Sequence, residues 1–263
     1  MNNTQNYTVI TGASSGIGYA AAKAFARRAK NVIVVARRQS RLEKLKQEIE
    51  EQHPTVDVVV KACDLSIPAN AHQLYQEVRE FPVETWINNA GFGNYDSVAQ
   101  QDLSKIETML HVNVEALTIL SSLYVRDYKD VPGTQLITIS SRGGYAIVPN
   151  AVTYCAAKFY VSAFTEGLAH ELKAGQAKLK AKVLAPAATQ TEFGKMANDV
   201  AEYDYDKSFG RYHTSEQMAD FLLALYDSEQ TVGAVNGETL AFTLRAPIFD
   251  YTGDSLHNQK AVK

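Results

Sequence analysis

Cysteine is almost missing from this chain. Cys63 and Cys155 are the two thiols among 263 residues. They stand far apart in unlike surroundings, which excludes a disulfide scaffold and suits a reduced, cytoplasmic protein. Histidine is scarce as well, and His170-Glu171 is not followed by a second histidine at metalloprotease spacing, so no metal site is expected. No apolar run approaches the roughly 18 residues that a membrane-spanning helix needs. Residues 1–6 have neither the basic start nor the apolar stretch of a secretory signal. Positive charge is not in excess either: the formal net charge is −3, which argues against nucleic acid as a partner. Linkers rich in proline, glycine or serine are absent, and so are internal repeats; one domain is expected. Hydrophobic residues at 46% and charged ones at 21% exclude a disordered chain.

What is present is an alternation. Short β-branched runs at 7–11, 31–36, 56–62, 85–87, 134–139, 180–184 and 239–243 are nearly continuous in apolar residues, as strands are when helices cover both faces of a sheet. Longer helical patterns lie between them. Ser40-Arg41-Leu42-Glu43, Ser104-Lys105-Ile106-Glu107 and Thr214-Ser215-Glu216-Gln217 each have capping-box spacing and predict helix starts. Leu42, Leu45 and Ile49 then recur at helical intervals. Strand–helix alternation of this kind predicts an α/β chain, a three-layer, doubly wound parallel sheet of about seven strands.

Directly after the first strand the sequence reads Thr11-Gly12-Ala13-Ser14-Ser15-Gly16-Ile17-Gly18 and opens an alanine-rich helix. Glycines there let the backbone turn tightly and approach a pyrophosphate, whose charge faces the helix amino terminus. The second strand ends Val34-Val35-Ala36-Arg37-Arg38. An acidic side chain at this place would bond the ribose 2′-hydroxyl of NAD; alanine stands there instead. Without that carboxylate a 2′-phosphate is not repelled, and Arg37, with Arg38 beside it, is suited to pair with it, so NADP(H) is the expected cofactor.

Further along, Tyr154-Cys155-Ala156-Ala157-Lys158 places a phenol and an ammonium four residues apart, on one face of a helix. A free tyrosine ionises near pH 10, and a neighbouring cation favours the phenolate. Ser141 precedes the tyrosine by thirteen residues, at the end of the strand Leu136-Ile137-Thr138-Ile139-Ser140-Ser141.

The glycine spacing, Asp64-Leu65, Asn88-Asn89-Ala90-Gly91 and the Ser–Tyr–Lys set together resemble the short-chain dehydrogenase/reductase family, over about residues 5 to 245. The resemblance implies a Rossmann fold and hydride transfer between a nicotinamide and a carbonyl or secondary alcohol. It implies that Gly12, Ser14, Ser15, Gly16, Ile17 and Gly18 cradle the cofactor. Asp64, with Leu65, would meet the adenine, and Asn89, Ala90 and Gly91 the adenosine ribose. By the same resemblance Ser141 polarises the substrate carbonyl, and Tyr154 protonates its oxygen. Lys158 holds the nicotinamide ribose and depresses the tyrosine pKa, and Asn113 holds a water in a proton relay. Thr191, five residues after Pro186, would bond the carboxamide, although Ala187 replaces the family's usual glycine.

Three further expectations follow. The segment 143–149 should form an apolar wall of the substrate site. Residues 194–213, with Gly194 and Gly210 as hinges, should form a lid. Helices over 106–128 and 153–172 carry apolar residues on more than one face, and in the resembling family these helices pair between subunits, implying a homodimer or homotetramer. Two rival functions stay open: an oxidative dehydrogenase of a hydroxysteroid, sugar or hydroxyacyl substrate, and a cofactor-sensing binding protein without turnover.

Overall fold

A computed structural model describes residues 6–252; most of the polar stretch 1–6 lies outside the described residues. The apolar runs become strands, and their side chains divide between two cores. Ile10, Val32, Val34, Ile137 and Leu184 face one layer of helices. Their neighbours Val9, Ile33, Val35, Leu136 and Ala181 face the other. This is the two-residue period of a strand buried on both faces.

In chain order the strands are β1 (Tyr7–Thr11), β2 (Asn31–Ala36), β3 (Val58–Ala62), β4 (Val83–Asn88), β5 (Gln135–Ile139), β6 (Lys180–Ala185), β7 (Val232–Val235) and β8 (Phe242–Arg245). They form one sheet in the order β3-β2-β1-β4-β5-β6-β7-β8. The pairings are parallel through β7, and β8 closes the edge antiparallel. The seventh run, expected at 239–243, is corrected. It straddles the turn between β7 and β8, because small Gly233 and Ala234 give β7 little apolar signal of its own.

The helices are α1 (Gly16–Ala26), α2 (Gln39–Gln52), α3 (Pro68–Val78), α4 (Leu103–Leu110), α5 (Leu117–Tyr128), α6 (Val152–Ala174), α7 (Phe193–Asn198), α8 (Tyr205–Phe209) and α9 (Ser215–Asp227). The widened π turn His111–Ala116 joins α4 to α5. Of the three capping boxes, the one at Thr214 forms, with Thr214 Oγ1 accepting from the Gln217 amide at 3.2 Å and Gln217 returning the bond at 2.9 Å. The other two are corrected. Helix α2 starts at Gln39, one residue ahead of Ser40. Helix α4 is capped by Asp102, whose carboxylate accepts from the Ser104 amide at 2.9 Å. A carboxylate at the N-cap also meets the positive end of the helix dipole, an advantage over a serine two residues later.

The sole tryptophan, Trp86 on β4, lies between Tyr75 and Tyr124 in the second core. Its indole donates to Asn88 Oδ1 at 3.0 Å, and Asn88 donates to Ser121 at 2.9 Å, so the buried polar atoms are paired. On β6, buried Lys182 reaches the end of α9 and donates to the carbonyls of Leu225, Tyr226 and Ser228 at 2.6–3.0 Å. A cation there satisfies orphaned carbonyls and the negative end of the dipole. Strand order reverses between β1 and β4, where a doubly wound sheet opens a crevice at the carboxyl ends of its strands.

Candidate active site

The crevice is a cleft of about 570 Å³, within the range of small-molecule sites. One end is built by the glycine-rich turn. Gly12 (φ 68°) and Gly16 (φ 57°) hold left-handed backbone that favours glycine. A Cβ on Gly12 would lie 2.8 Å from Ala90 Cα, and one on Gly18 would lie 2.6 Å from the Gly12 carbonyl oxygen. Glycine therefore keeps the turn against the β4 loop and its amides open to the cleft. Asn89 ties the loops together: its amide donates to the Thr11 and Gly12 carbonyls at 2.8 and 3.2 Å. Ser14, Ser15, Ile17, Asp64, Leu65, Ala90 and Gly91 line the same end. One oxygen of Asp64 is committed to the amide and hydroxyl of Ser66 at 3.0 and 2.8 Å, and the other makes no such bond among the described residues.

The two arginines after β2 divide their tasks. Arg37 lines the cleft, and its guanidinium makes no hydrogen bond or ion pair among the described residues. Arg38 is tied down, donating to Ser14 Oγ at 3.0 Å, Ser15 Oγ at 2.9 Å and Glu192 at 2.7 Å. Glu192 also accepts from Arg41 at 2.5 Å. Burial works against its charge, but the bonds from Arg41 and Arg38 outweigh it and hold the carboxyl down at about 2. Glu192 and Arg41 were not foreseen from sequence, because their partners lie about 150 residues apart along the chain.

At the other end, Ser141, Tyr154 and Lys158 come together on the cleft wall. Ser141 caps the short turn Arg142–Gly144, its Oγ accepting from the Gly143 amide at 3.0 Å. Ser140 is unavailable: its hydroxyl is held by the Lys158 carbonyl at 3.1 Å and by Ser162 at 2.7 Å. Lys158 Nζ lies 5.9 Å from the Tyr154 ring centre and donates to the Ile139 carbonyl at 2.9 Å. Burial draws its pKa down to about 8. Burial also raises the Tyr154 pKa, against the pull of a hydrogen bond with Ser141. The expected net depression of the tyrosine is thus corrected. The protein interior solvates a phenolate poorly, and this exceeds the help from its neighbours.

Asn113 sits behind the cleft in the π turn. Its amide is used by Phe92, accepting from the backbone N–H at 3.1 Å and donating to the carbonyl at 2.9 Å. The side chain therefore anchors the loop after Gly91. Thr191 lines the cleft and accepts from the Phe193 amide at 3.0 Å.

The substrate end is more aromatic than the sequence foretold. Tyr95 and Phe193 pack around Tyr154 at 6.4 and 5.3 Å between ring centres. Burial pushes the Tyr95 phenol up to about 12. Neither residue belongs to a periodic pattern, so no local signal marked them. Of the wall over 143–149, Gly143 and Val148 line the cleft, while Ile147 turns outward at 66% exposure. The stretch 194–213 carries α7 and α8 and an aromatic cluster of Tyr203, Tyr205 and Phe209. Lys105 fastens it, donating to Asp199 at 2.6 Å and to the Met196 carbonyl at 2.9 Å. At Gly194 a Cβ would lie 2.3 Å from the Tyr203 ring, so glycine there permits close packing. Gly210 does take a positive φ of 65°.

Among the described residues no helix is long and apolar enough to cross a membrane, and no group of three or more His, Cys, Asp or Glu is placed to hold a metal. Known proteins resemble the chain in sequence and in fold. The human "Dehydrogenase/reductase SDR family member 11" is 32% identical over 197 residues, 73% of this chain and 76% of that protein. A short-chain dehydrogenase from Sphingobium yanoikuyae, solved in complex with NADPH, superposes with a TM-score of 0.79 at 29% identity, covering 87% of each chain. The bulky-bulky ketone specific alcohol dehydrogenase from Comamonas testosteroni gives 0.75 at 27%, over 88% of this chain and 86% of that one. The family model described as short chain dehydrogenase matches residues 6–201. By that match, and by the glycine turn and Tyr–Lys pair it encloses, the chain belongs to the short-chain dehydrogenase family.

Proposed function

We propose that the protein is an NADP(H)-dependent oxidoreductase that reduces the carbonyl of a compound with an apolar portion. One observation carries this reading: a single cleft holds the glycine turn and two arginines at one end and Ser141, Tyr154 and Lys158 at the other. The NADPH carried by the Sphingobium protein and the ketone named for the Comamonas enzyme support it.

The chain fits the cofactor because a Cβ on Gly12 or Gly18 would fill the cradle. The amides at the start of α1 would face the pyrophosphate, and Arg37, Arg38 and Ser14 would take the 2′-phosphate. The second oxygen of Asp64 would accept from the adenine, and Thr191 would hold the carboxamide end. When bound, the nicotinamide supplies the hydride. Ser141 holds the carbonyl oxygen. Tyr154, kept protonated by burial, releases its proton to that oxygen as negative charge builds there. An alkoxide is a stronger base than a phenolate, so transfer from Tyr154 runs downhill even from a raised pKa. Lys158 carries the cation that steadies the phenolate left behind. Phe92, Tyr95, Phe193 and Tyr203 line the cleft and exclude water from the reacting atoms.

NADPH oxidation, followed by nicotinamide absorbance with a panel of aldehydes and ketones, tests the proposal. Turnover is expected with carbonyls bearing an alkyl or aryl group. Tight NADPH binding without turnover on any of them would instead identify a cofactor sensor. A cytoplasmic location and assembly through the faces of α5 and α6 belong to the same reading. Light scattering at micromolar concentration should return at least twice the chain mass, and a monomer would refute the assembly.

A further inference from the structure

Helix α6 carries the Tyr–Lys pair, and its spacing continues beyond that pair. Tyr154, Lys158, Ser162 and Glu166 follow one another at intervals of four residues, so all four lie along one face. All are buried, Ser162 fully and Glu166 at 1% exposure. The first two reach the cleft. The other two reach the turn that presents Ser141. Ser162 meets Ser140 Oγ at 2.7 Å, and Glu166 Oε1 accepts from the Tyr145 hydroxyl at 2.5 Å. Between them Gly144 is pressed onto the helix so closely that a Cβ would lie 2.4 Å from Ser140 Oγ and 2.5 Å from Ser162 Oγ.

The second oxygen of Glu166 points elsewhere. It accepts from the backbone amides of Ile248 and Phe249 at 2.6 and 2.9 Å. Phe249 then stacks on the Tyr145 ring at 5.2 Å, and Tyr251 stacks on His170 of α6 at 4.2 Å. The segment 248–251 thus lies along α6 as a strap, outside the span 6–201 that the family model matches. No salt bridge to Glu166 is present among the described residues. A buried carboxylate without a counter-cation is a poor way to gain stability alone. Three convergent donors make it a rigid junction between turn, helix and strap.

We infer that Glu166 is a positioning residue for Ser141, and that the strap 248–251 is part of the active-site architecture through it. Ser141 begins the turn Arg142–Gly144 and Tyr145 ends it. With the far end held by Glu166, the serine hydroxyl is kept in register with Tyr154 and Lys158, which project from the same helix face two and three turns earlier. Catalysis is sensitive to displacements of about 1 Å, which can lower rates about 100-fold. The inference rests on the proposed carbonyl reduction for its kinetic part, and its structural part is read independently of activity.

The test uses the full chain with Tyr145→Phe, which removes one donor and keeps the ring stack, Glu166→Gln, and Phe249→Ala. Amide hydrogen exchange at Gly143, Gly144 and Tyr145 should accelerate about tenfold or more in each variant, with the turn 12–18 unchanged. The kcat should fall about tenfold while NADPH affinity, measured by cofactor fluorescence, stays within about twofold. Combining Tyr145→Phe with Glu166→Gln should lower kcat no further than Glu166→Gln alone, because both cut one connection. Unchanged exchange at 143–145 in Tyr145→Phe would overturn the inference. So would accelerated exchange with wild-type kcat, since Glu166 would then be merely structural. Turnover of the wild-type protein in the same preparation reports separately on the functional reading.

Discussion

Tyr154→Phe is expected to lower turnover by on the order of 100- to 10,000-fold, the usual contribution of a positioned general acid. The substitution removes one oxygen and leaves the ring between Tyr95 and Phe193, so fold and NADPH affinity should be retained. Tyr95 is an alternative phenol in the cleft, with ring centres 6.4 Å apart. Retention of more than about a tenth of the wild-type kcat would assign the proton to another group, and Tyr95→Phe would then become the informative variant. The pH profile supplies a second check. Burial holds the Lys158 pKa down to about 8. Its cation is therefore present below that pH and lost above it, and kcat/KM for the carbonyl should decline as pH rises through about 8. Tyr154 remains protonated across the same range, because burial raises its pKa. A decline on the acid side instead would mean that a group must be deprotonated to act, contrary to a tyrosine donor steadied by a cation.

The second large effect concerns the cofactor. Arg37→Ala should weaken NADPH binding by about 10- to 100-fold, since a hydrogen bond to a charged group contributes about 1.5–3 kcal/mol. NADH, which lacks the 2′-phosphate, should be bound within about twofold of wild type. Arg38→Ala should behave differently. Arg38 is fastened to Ser14, Ser15 and Glu192, so its loss loosens the glycine turn and frees a carboxylate beside the phosphate. Affinity for both cofactors should fall, NADPH more steeply, and part of the NADPH loss should return in Arg38→Ala/Glu192→Gln. Titrations by fluorescence quenching read all of these. Equal losses of NADPH and NADH in Arg37→Ala would take the phosphate-reading role from Arg37.

Local patterns in the sequence were enough for much of the architecture. Runs such as 31–36 are apolar at consecutive positions because both faces of the sheet are covered, and that composition is visible without coordinates. The glycines at 12, 16 and 18 announce a close approach of backbone, since a side chain is excluded there. Tyr154 and Lys158 could be paired because helical period is a property of neighbouring residues, and the same holds for the capping box at Thr214. Ser104 carried the capping-box spacing, yet Asp102, two residues earlier, caps the helix, so spacing by itself did not place that helix start. Helix ends are settled by where the flanking loop leaves the core.

The rest required the tertiary structure, for a common reason. Strands β7 and β8 are four residues each and acquire their identity from pairing Val232↔Arg245 through Val235↔Phe242, a register that turn geometry and packing impose. Arg38 and Arg37 are indistinguishable as neighbours in a sequence. Glu192, 154 residues from Arg38, decides which of them is tied down. The spacing of Glu166 from Tyr154 and Lys158 was present in the sequence, but its partners stand 21, 82 and 83 residues away. Periodicity records which residues share a face of an element. It carries no record of what packs against that face, because such contacts are fixed by burial and hydrogen-bond pairing among segments distant along the chain.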